Sequence, residues 1–472
     1  MKLVLNGKIN RTYVQSLCMM YFHGEKFPED EIEPLRTLTV NVTDFENGIE
    51  CECTLEANGK KAYYKSFTEF CEDEKYERTS KTAIGQAVYR VGAEITGKEI
   101  PWGILTGIRP SKVAMELLNN HTEAEVRDIL LNRYLLSEKK ADLVIRVAKN
   151  EYEIIKLNDN NTCSLYISIP FCPSRCNYCS FISYATPKLF ELIPAYVDKL
   201  VDELSNTLKT IKNNGLRLLS VYIGGGTPTV LTENQLERIL KTVSENTDVS
   251  NLLEFTLEGG RPDTITESKI EIAKKYGVNR ISVNPQTLND EVLRSIGRNH
   301  TVKEFFEAYN RVKNGEMNFI NTDLIAGLEN DNFESFKSTI DQIVSLSPDN
   351  VTVHSFSVKK SAQILRDNNQ IYENINDYAI KSVDYAYDTL ITNGYEPYYM
   401  YRQKNTVCDL ENVGYAKKGT FGIYNVLMMS DTHTVYGVGA GATTKIVSNN
   451  DGKIEINRIF SHKYPYEYLQ DS

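Results

Sequence analysis

The chain has 472 residues, of which 41% are hydrophobic and 25% charged, and its formal net charge at pH 7 is −10. The length exceeds that of one ordinary domain, and the composition is that of a globular protein rather than a disordered or fibrous one. The acidic balance argues against a nucleic-acid partner, since phosphate binding needs clustered Lys and Arg. No apolar run reaches the roughly 20 residues of a membrane helix. The N-terminal residues lack the apolar core of a signal peptide, so the expected compartment is cytoplasmic.

Residues 1–155 are predicted to form an N-terminal α+β accessory domain. Segments 36–45, 49–57 and 60–68 are rich in Val, Thr, Cys and Tyr and are separated by Asn-Gly turns, which is typical of an antiparallel meander. Helical patterns follow from Ser80 to about Ile155. Between these helical patterns, the segment 101–112 carries the only Trp of the chain. It is interpreted either as an anion-binding turn ahead of a helix or as a packed connecting loop.

From residue 164, short apolar runs alternate with amphipathic helices. Strands are expected at 164–170, 218–224, 253–258, 280–285, 318–326 and 350–358. Six strand–helix repeats build a parallel sheet with right-handed crossovers, and they fall short of the eight strands of a closed barrel. The predicted fold class is therefore α/β, with a partial (β/α)6 barrel over 156–393 and functional loops at the C-terminal strand ends. Residues 394–472 are predicted to form a C-terminal α+β appendage that completes the substrate side.

The odd number of cysteines, nine, does not indicate a disulfide framework. Six of them are expected to be buried packing residues, namely Cys18, Cys51, Cys53, Cys71, Cys163 and Cys408. The other three, Cys172, Cys176 and Cys179, have the spacing C-x3-C-x2-C on the loop after the first predicted barrel strand.

A loop with this spacing can deliver three thiolates to three irons of one [4Fe–4S] cluster, which leaves the fourth iron open to a small molecule. Structural zinc needs four ligands, and a ferredoxin-type cluster needs a fourth Cys. The sequence offers neither nearby. The motif therefore predicts a [4Fe–4S] cluster held by Cys172, Cys176 and Cys179.

Other candidate residues lie where the later strands are predicted to end. The run Gly-Gly-Gly-Thr-Pro at 224–228 ends the second strand, and its glycines let the backbone approach a ligand closely. Glu258 ends the third strand, Gln286 follows the fourth, and Asp323 lies in the fifth, while Arg298 follows Gln286 by twelve residues. Glu258 and Arg298 could equally form rim salt bridges, but a carboxylate at a barrel-strand end favours a functional site.

In its cysteine motif the chain resembles the radical S-adenosylmethionine (SAM) superfamily. The segment 166–172, Tyr-Ile-Ser-Ile-Pro-Phe-Cys, is similar to the oxygen-independent coproporphyrinogen III oxidase branch. Within that branch, the long N-terminal module and the segment 102–110, Trp-Gly-Ile-Leu-Thr-Gly-Ile-Arg-Pro, resemble the HemZ-type proteins. The resemblance to the branch covers roughly residues 160–445, and that to the HemZ type covers nearly the whole chain.

The resemblance implies a [4Fe–4S] cluster and SAM as cofactors, with reductive cleavage of SAM to methionine and a 5′-deoxyadenosyl radical. It also implies a tetrapyrrole substrate or haem as partner and an electron donor such as flavodoxin or ferredoxin. By similarity, the residues that contact the cluster-bound SAM are Tyr166, Gly225 and Glu258. Those that match contacts of a second SAM are Tyr178, Gly226, Thr227, Gln286, Arg298, Asp323 and Val358.

The activity implied by the resemblance is oxygen-independent oxidative decarboxylation of coproporphyrinogen III propionates to vinyl groups, in porphyrin biosynthesis. The oxidase carries a further Cys where this chain has Phe181, and a His where it has Ser168. Both departures resemble the haem-chaperone and HemZ relatives. The alternatives are therefore a haem-binding chaperone of the same family, or a radical SAM enzyme acting on another tetrapyrrole in haem breakdown or methyl transfer.

Three features remain in the last third of the chain. The segment 395–405 combines tyrosines with Arg402 and Lys404, which suits either a surface for a flat tetrapyrrole or a packing edge. The glycine turn 437–442 lacks the strand–turn–helix unit of a dinucleotide fold, so no nucleotide site is predicted there. His354 is expected to be a hydrogen-bonded strand residue rather than a haem-iron ligand.

Overall fold

The computed structural model describes residues 1–22, 24–29, 34–71, 74–179, 183–357, 371–403, 410–450 and 453–470. The chain divides into two compact units, Met1–Ala148 and Lys149–Ser472. A separate domain from 394 onwards remains a prediction. Within the described ranges, none of the helices combines the length and apolar character that crossing a membrane demands.

The first unit is a four-stranded sheet with helices. Its elements are β1 (Lys2–Asn6), α1 (Arg11–Tyr21), β2 (Arg36–Phe45), β3 (Gly48–Ala57), β4 (Lys60–Glu69), α2 (Tyr76–Thr96), α3 (Pro110–Leu118), α4 (Glu123–Asp128), a π-helical turn (Ile129–Arg133) and α5 (Glu138–Ile155), whose last residues belong to the second unit. The sheet has the order β1-β2-β3-β4. Strands β2 to β4 form the predicted antiparallel meander, and β1 adds a parallel pairing to β2 that the sequence pattern did not indicate.

The predictions of cysteine burial are confirmed for Cys18, Cys51, Cys53 and Cys163, which are at most 3% exposed. Cys51 and Cys53 share the core face of β3 because alternate residues of a strand point to the same side. The prediction for Cys71 is wrong: it is exposed, because it follows the end of β4, where the chain leaves the sheet. Cys408 lies outside the described residues.

The segment 101–112 begins as a packed connecting loop. Trp102 is fully buried, and a Cβ atom on Gly103 would lie only 2.0 Å from the backbone oxygen of Tyr134. Gly103 also has φ +54°, a conformation that favours glycine. The first half of this segment therefore has a packing role, and α3 begins at Pro110.

The second unit begins with six strand–helix repeats. These comprise β5 (Thr162–Ile169), α6 (Pro187–Phe190), α7 (Ile193–Asn213), β6 (Arg217–Gly225), α8 (Glu233–Asn246), β7 (Glu254–Glu258), α9 (Glu267–Lys275), β8 (Arg280–Ser282), α10 (Asp290–Ser295), α11 (Val302–Asn314), β9 (Phe319–Ala326), α12 (Phe333–Leu346), β10 (Asn350–Ser355) and α13 (Ile371–Thr392). The remaining elements are β11 (Tyr395–Arg402), β12 (Glu411–Lys417), α14 (Ile423–Met429), β13 (Thr434–Val438), β14 (Thr443–Asn450), β15 (Lys453–Phe460) and α15 (Pro465–Gln470).

Strands β5 to β10 lie side by side in chain order, and each is parallel to the next. The partial (β/α)6 barrel is therefore confirmed. The later strands extend this same sheet at both edges: β13 is parallel to β5, and β12 is antiparallel to β10. Strand β8 is shorter than predicted and ends at Ser282, and Gln286, which follows it, has φ +69°.

A stack of three tyrosines fills part of the barrel. Tyr222 and Tyr424 have ring centroids 4.7 Å apart, and Tyr166 stacks 6.1 Å from Tyr424. Helix α14, which carries Tyr424, is fixed at its N-terminus by the buried carboxylate of Glu254, which accepts hydrogen bonds from the backbone N–H groups of Ile423 and Tyr424. The three rings therefore join β5, β6 and α14.

Candidate functional site

The cysteine loop follows β5, and backbone hydrogen bonds attach it to two other segments of the chain. The N–H of Cys172 donates to the oxygen of Tyr184 at 3.0 Å, and the N–H of Asn177 donates to the oxygen of Ile296 at 3.1 Å. Cys172 is buried, whereas Cys176 and Cys179 are partly exposed. The loop thus presents three thiols at the C-terminal end of the first barrel strand, as the sequence predicts.

Cys172, Cys176 and Cys179 lie close enough together to influence one another's charge, and three cysteines are the donor set that a [4Fe–4S] cluster with one open iron takes. Burial, and then the neighbouring Cys179 and Cys176, raise the pKa of Cys172 to about 11, while its hydrogen bond to Thr227 opposes the rise. Three thiolates on one short loop can each bind a different iron of a [4Fe–4S] cluster and leave the fourth iron open.

Two buried polar side chains approach the sulfur atoms. The Oγ1 of Thr227 lies 3.3 Å from the Sγ of Cys172, and the Nη1 of Arg261 lies 3.7 Å from the Sγ of Cys176. Sequence reasoning assigned Thr227 to SAM and missed Arg261. Its position in the loop directly after β7, three residues beyond Glu258, was the available signal.

The glycine run joins the end of β6 to the start of the cysteine loop. The N–H of Gly226 donates to the oxygen of Ile169 at 2.7 Å, and the N–H of Thr227 donates to the oxygen of Phe171 at 2.8 Å. Gly225 has φ +109°. A Cβ on Gly226 would lie 2.5 Å from the oxygen of Phe171. The run therefore needs glycine for close backbone contact as well as for conformation.

Glu258 lies at the C-terminal end of β7, facing this glycine run. Burial, and then the carboxylate of Asp323, raise the pKa of Glu258 to about 8, although the N–H of Gly225 and the charge of Arg298 oppose the rise. Burial and Glu258 also raise the pKa of Tyr166. Glu258 is therefore largely protonated at pH 7 and is ready to ionise beside a cation.

Arg298 is anchored by backbone oxygens. Its Nη1 donates to the oxygens of Gly260 at 2.9 Å and Asn284 at 3.1 Å, and its Nε lies 3.3 Å from the hydroxyl of Tyr178. Gln286 adopts a left-handed backbone conformation, and its Oε1 is buried without a hydrogen-bond partner among the described residues. Such strain and an unpaired buried acceptor are typical of a binding site.

Asp323 lies in β9, four strands away from β5 in the sheet, and its charge reaches Glu258. Its Oδ2 accepts a hydrogen bond from the Nδ2 of Asn284 at 2.8 Å and lies 4.0 Å from the Nε2 of His354. The Nδ1 of His354 lies 3.3 Å from the Oδ1 of Asn412, which also accepts from the N–H of Ser355. Since that oxygen is an acceptor, the Nδ1 of His354 carries the proton. The prediction of a hydrogen-bonded strand histidine is confirmed.

The structure brings most of the predicted site residues to the same end of the barrel sheet. These are Tyr166, Tyr178, Gly225, Gly226, Thr227, Glu258, Gln286, Arg298 and Asp323, together with the three cysteines. Val358, Phe181 and Lys404 lie outside the described residues. Tyr398 and Tyr399 are buried in an apolar cluster, so they offer no tetrapyrrole surface and the packing interpretation holds for them.

Comparison with known proteins gives consistent matches. The sequence model of the radical SAM superfamily matches residues 166–343. The oxygen-independent coproporphyrinogen-III oxidase-like protein HemZ of Bacillus subtilis (strain 168) is 33% identical over 401 residues, which is 84% of this chain and 80% of that protein. The heme chaperone HemW of Lactococcus lactis subsp. lactis (strain IL1403) is 30% identical over 59% of this chain and 69% of its own length.

Among solved structures, the coproporphyrinogen III oxidase HemN from Escherichia coli matches with a TM-score of 0.51 at 21% identity. The match covers 68% of this chain and 71% of that chain. At this level of identity the likeness establishes a shared fold.

Proposed function

Because the chain belongs to the radical SAM superfamily and, within it, to the HemZ family of oxygen-independent coproporphyrinogen-III oxidase-like proteins, we propose that it oxidises coproporphyrinogen III without oxygen. A [4Fe–4S] cluster and SAM are the cofactors of this superfamily and of this chain. The supporting observation is the extent of the likeness to HemZ: more than half of the 401 matched residues lie outside the segment 166–343 that all radical SAM proteins share.

In the proposed site, Cys172, Cys176 and Cys179 hold the cluster, and the loop from β6 holds SAM. Glu258 would hold the ammonium group of SAM, and its buried environment keeps the carboxyl protonated until a cation arrives. Arg298, fixed by two backbone oxygens, holds the hydroxyl of Tyr178 in place. The glycines of the run leave room for the ligand.

When bound, the reduced cluster and SAM supply a 5′-deoxyadenosyl radical. A propionate that reacts would lose one β-hydrogen atom to that radical, one molecule of carbon dioxide, and one electron to an external acceptor, which leaves a vinyl group. The protein contributes position and exclusion of water. The stack of Tyr166, Tyr222 and Tyr424 closes the barrel beneath the site with aromatic surface.

The test is anaerobic incubation of the reconstituted chain with SAM, a one-electron reductant, an electron acceptor and coproporphyrinogen III. Mass spectrometry should find 5′-deoxyadenosine and a vinyl-containing porphyrinogen, and the Cys176→Ala variant should form neither. Deoxyadenosine without a vinyl product would contradict the proposed substrate and would favour another tetrapyrrole, as in haem breakdown or methyl transfer.

Haem binding is the second candidate function, and the likeness to the heme chaperone HemW of Lactococcus lactis supports it. The hydrogen bond of the His354 Nδ1 already accounts for His354 as a strand residue. In the Nδ1-protonated tautomer its Nε2 carries the lone pair, so this nitrogen is the atom of His354 to test as an iron ligand. Haem titration followed by absorption spectroscopy should give a His354-dependent Soret shift, which the His354→Ala variant loses. Equal spectra for both chains would exclude this candidate ligand.

A further inference from the structure

Arg261 is a buried cation next to the cysteine loop. It follows β7 by three residues and begins the short turn Pro262–Thr264, and its side chain is 4% exposed. Its Nη1 lies 3.7 Å from the Sγ of Cys176, within hydrogen-bonding distance for sulfur, and its Nε lies 3.4 Å from Asp263. Its Nη2 is buried without a hydrogen-bond partner among the described residues.

The surroundings of Arg261 compensate only part of its charge. A guanidinium does not lose its proton in a protein, so burial carries a full charge out of water. Asp263 is the anionic partner, but its contact is long and its side chain is 30% exposed, which weakens the pairing. The other group within reach is the sulfur of Cys176, which becomes negative when it binds metal.

We propose that Arg261 raises the reduction potential of the [4Fe–4S] cluster by donating an N–H hydrogen bond to the thiolate of Cys176. This inference rests on the proposed role of Cys176 as a cluster ligand. One-electron reduction makes the cluster more negative, and both a hydrogen bond to a ligand sulfur and a nearby positive charge stabilise that reduced state. Arg261 is thus a positioning residue, since it acts on the cluster through Cys176.

A second donor approaches the loop, and its chemistry differs. The hydroxyl of Thr227 lies 3.3 Å from the Sγ of Cys172 and can donate a neutral hydrogen bond. Arg261 adds a full positive charge to its hydrogen bond, and charge-assisted hydrogen bonds are the stronger kind. The charge therefore makes Arg261 the larger of the two influences on the potential.

The experiment is a redox titration of the reconstituted chain, followed by the electron paramagnetic resonance signal of the reduced cluster. In Arg261→Gln, the ratio of reduced to oxidised cluster at a fixed potential should fall at least tenfold, a shift of about 59 mV to lower potential for a one-electron couple. The control is Asp263→Asn, which removes the carboxylate but keeps the guanidinium. Its midpoint should stay at or above that of the unchanged chain.

Several outcomes would overturn the inference. An unchanged midpoint in Arg261→Gln at equal iron and sulfide content does so, and so does an equal fall in Asp263→Asn. If Arg261→Gln does not retain the cluster, Arg261→Lys, which keeps the charge, should retain it with a midpoint within about 59 mV of that of the unchanged chain. Loss of the cluster from both variants with an intact circular dichroism spectrum would make Arg261 an assembly residue and contradict the proposal.

The role of Cys176 as a cluster ligand and the effect of Arg261 on the potential can be tested separately. If Cys176→Ala keeps the full cluster, the ligand assignment fails. If Cys176→Ala loses the cluster and Arg261→Gln keeps both the cluster and its midpoint, only the role of Arg261 fails.

Discussion

Gly224 of β6 lies directly against the carboxylate of Glu258 at the end of β7: a Cβ atom on Gly224 would lie 2.7 Å from the Oε2 of Glu258 and 2.7 Å from the ring of Tyr222. Tyr222 is held in the tyrosine stack, whereas the Glu258 carboxylate is the far end of a flexible side chain and is the group that a side chain at residue 224 would displace. The absence of a side chain at residue 224 therefore sets the position of the Glu258 carboxylate.

Replacing Gly224 by Ala is expected to displace this carboxylate and lower the affinity for SAM at least tenfold. Iron and sulfide content should not change, since the three atoms nearest to the new methyl group belong to Glu258 and Tyr222 and not to the cysteine loop. Anaerobic isothermal titration calorimetry measures the affinity. Gly107→Ala is the control, because a Cβ there meets nothing within 4 Å. Unchanged SAM affinity in Gly224→Ala would show that the ligand does not depend on Glu258.

Gly226→Ala is expected to reduce the cluster content itself, unlike Gly224→Ala. Its Cβ would lie 2.5 Å from the oxygen and 2.9 Å from the carbonyl carbon of Phe171, the residue before Cys172. Backbone cannot rotate away as a side chain can, so the substitution moves the start of the cysteine loop. The cluster content, measured as iron and sulfide per chain, should fall by more than half. Full cluster content in this variant would argue that the loop tolerates displacement.

The cysteines give a direct test of the metal site. Cys172→Ala, Cys176→Ala and Cys179→Ala should each reduce reconstituted iron and sulfide to near background, because removing one thiolate leaves only two ligated irons. Cys71→Ala is the matched control, since Cys71 is exposed and lies in the first unit. If one of these three variants binds as much iron as the control, the replaced cysteine is not a cluster ligand.

The barrel could be predicted from sequence because its six strands are short apolar runs separated by regular amphipathic helices, and the parallel order follows from that alternation. Conversely, the flanking strands β11 to β15 could not be assigned to edges of this sheet. Their pairing joins residues far apart in the chain, as β13 with β5, and periodicity carries no information on partners. The burial of Cys71 was mispredicted for a similar reason, since its exposure depends on where the chain leaves the sheet, which the sequence pattern does not give.

Within the site, the spacing of Cys172, Cys176 and Cys179 predicts a metal centre because one short loop supplies all of the donors. Arg261 was missed although it lies in the loop directly after β7, since a single Arg in a loop is most often a solvent-exposed charge and its contact with Cys176 is visible only in the fold. The strained conformation of Gln286 likewise has no local sequence signal, because glycine is the usual residue at positive φ.

Trp102 is expected to be a main determinant of the stability of the first unit. It is fully buried, and Trp→Ala in a core costs about 3–5 kcal/mol. Urea unfolding of Trp102→Ala, followed by circular dichroism, should lower the free energy of unfolding of this unit by about that amount. Leu35→Ala is the control, since Leu35 is 86% exposed. A change below about 1 kcal/mol would mean that the loop around Trp102 is not part of the cooperative core.

The raised pKa of Glu258, about 8, predicts that SAM binding releases a proton. At pH 7 most Glu258 side chains in the SAM-free chain are protonated, and an ammonium group placed beside them favours the ionised form, so binding expels close to one proton. The apparent affinity for SAM should therefore rise with pH between about 6 and 8, as the cost of deprotonating Glu258 falls.

Calorimetry of the reconstituted chain at pH 7, in two buffers of different ionisation enthalpy, counts the released protons. Glu258→Gln keeps the size of the side chain but cannot ionise, so its binding should be weaker and should release nearly one proton fewer than that of the unchanged chain. Any proton exchanged by the ammonium group of SAM itself is common to both chains and cancels in this difference. Equal proton release from both chains would mean that SAM binds without ionising Glu258, and the carboxylate would then lose its proposed role as the partner of the ammonium group.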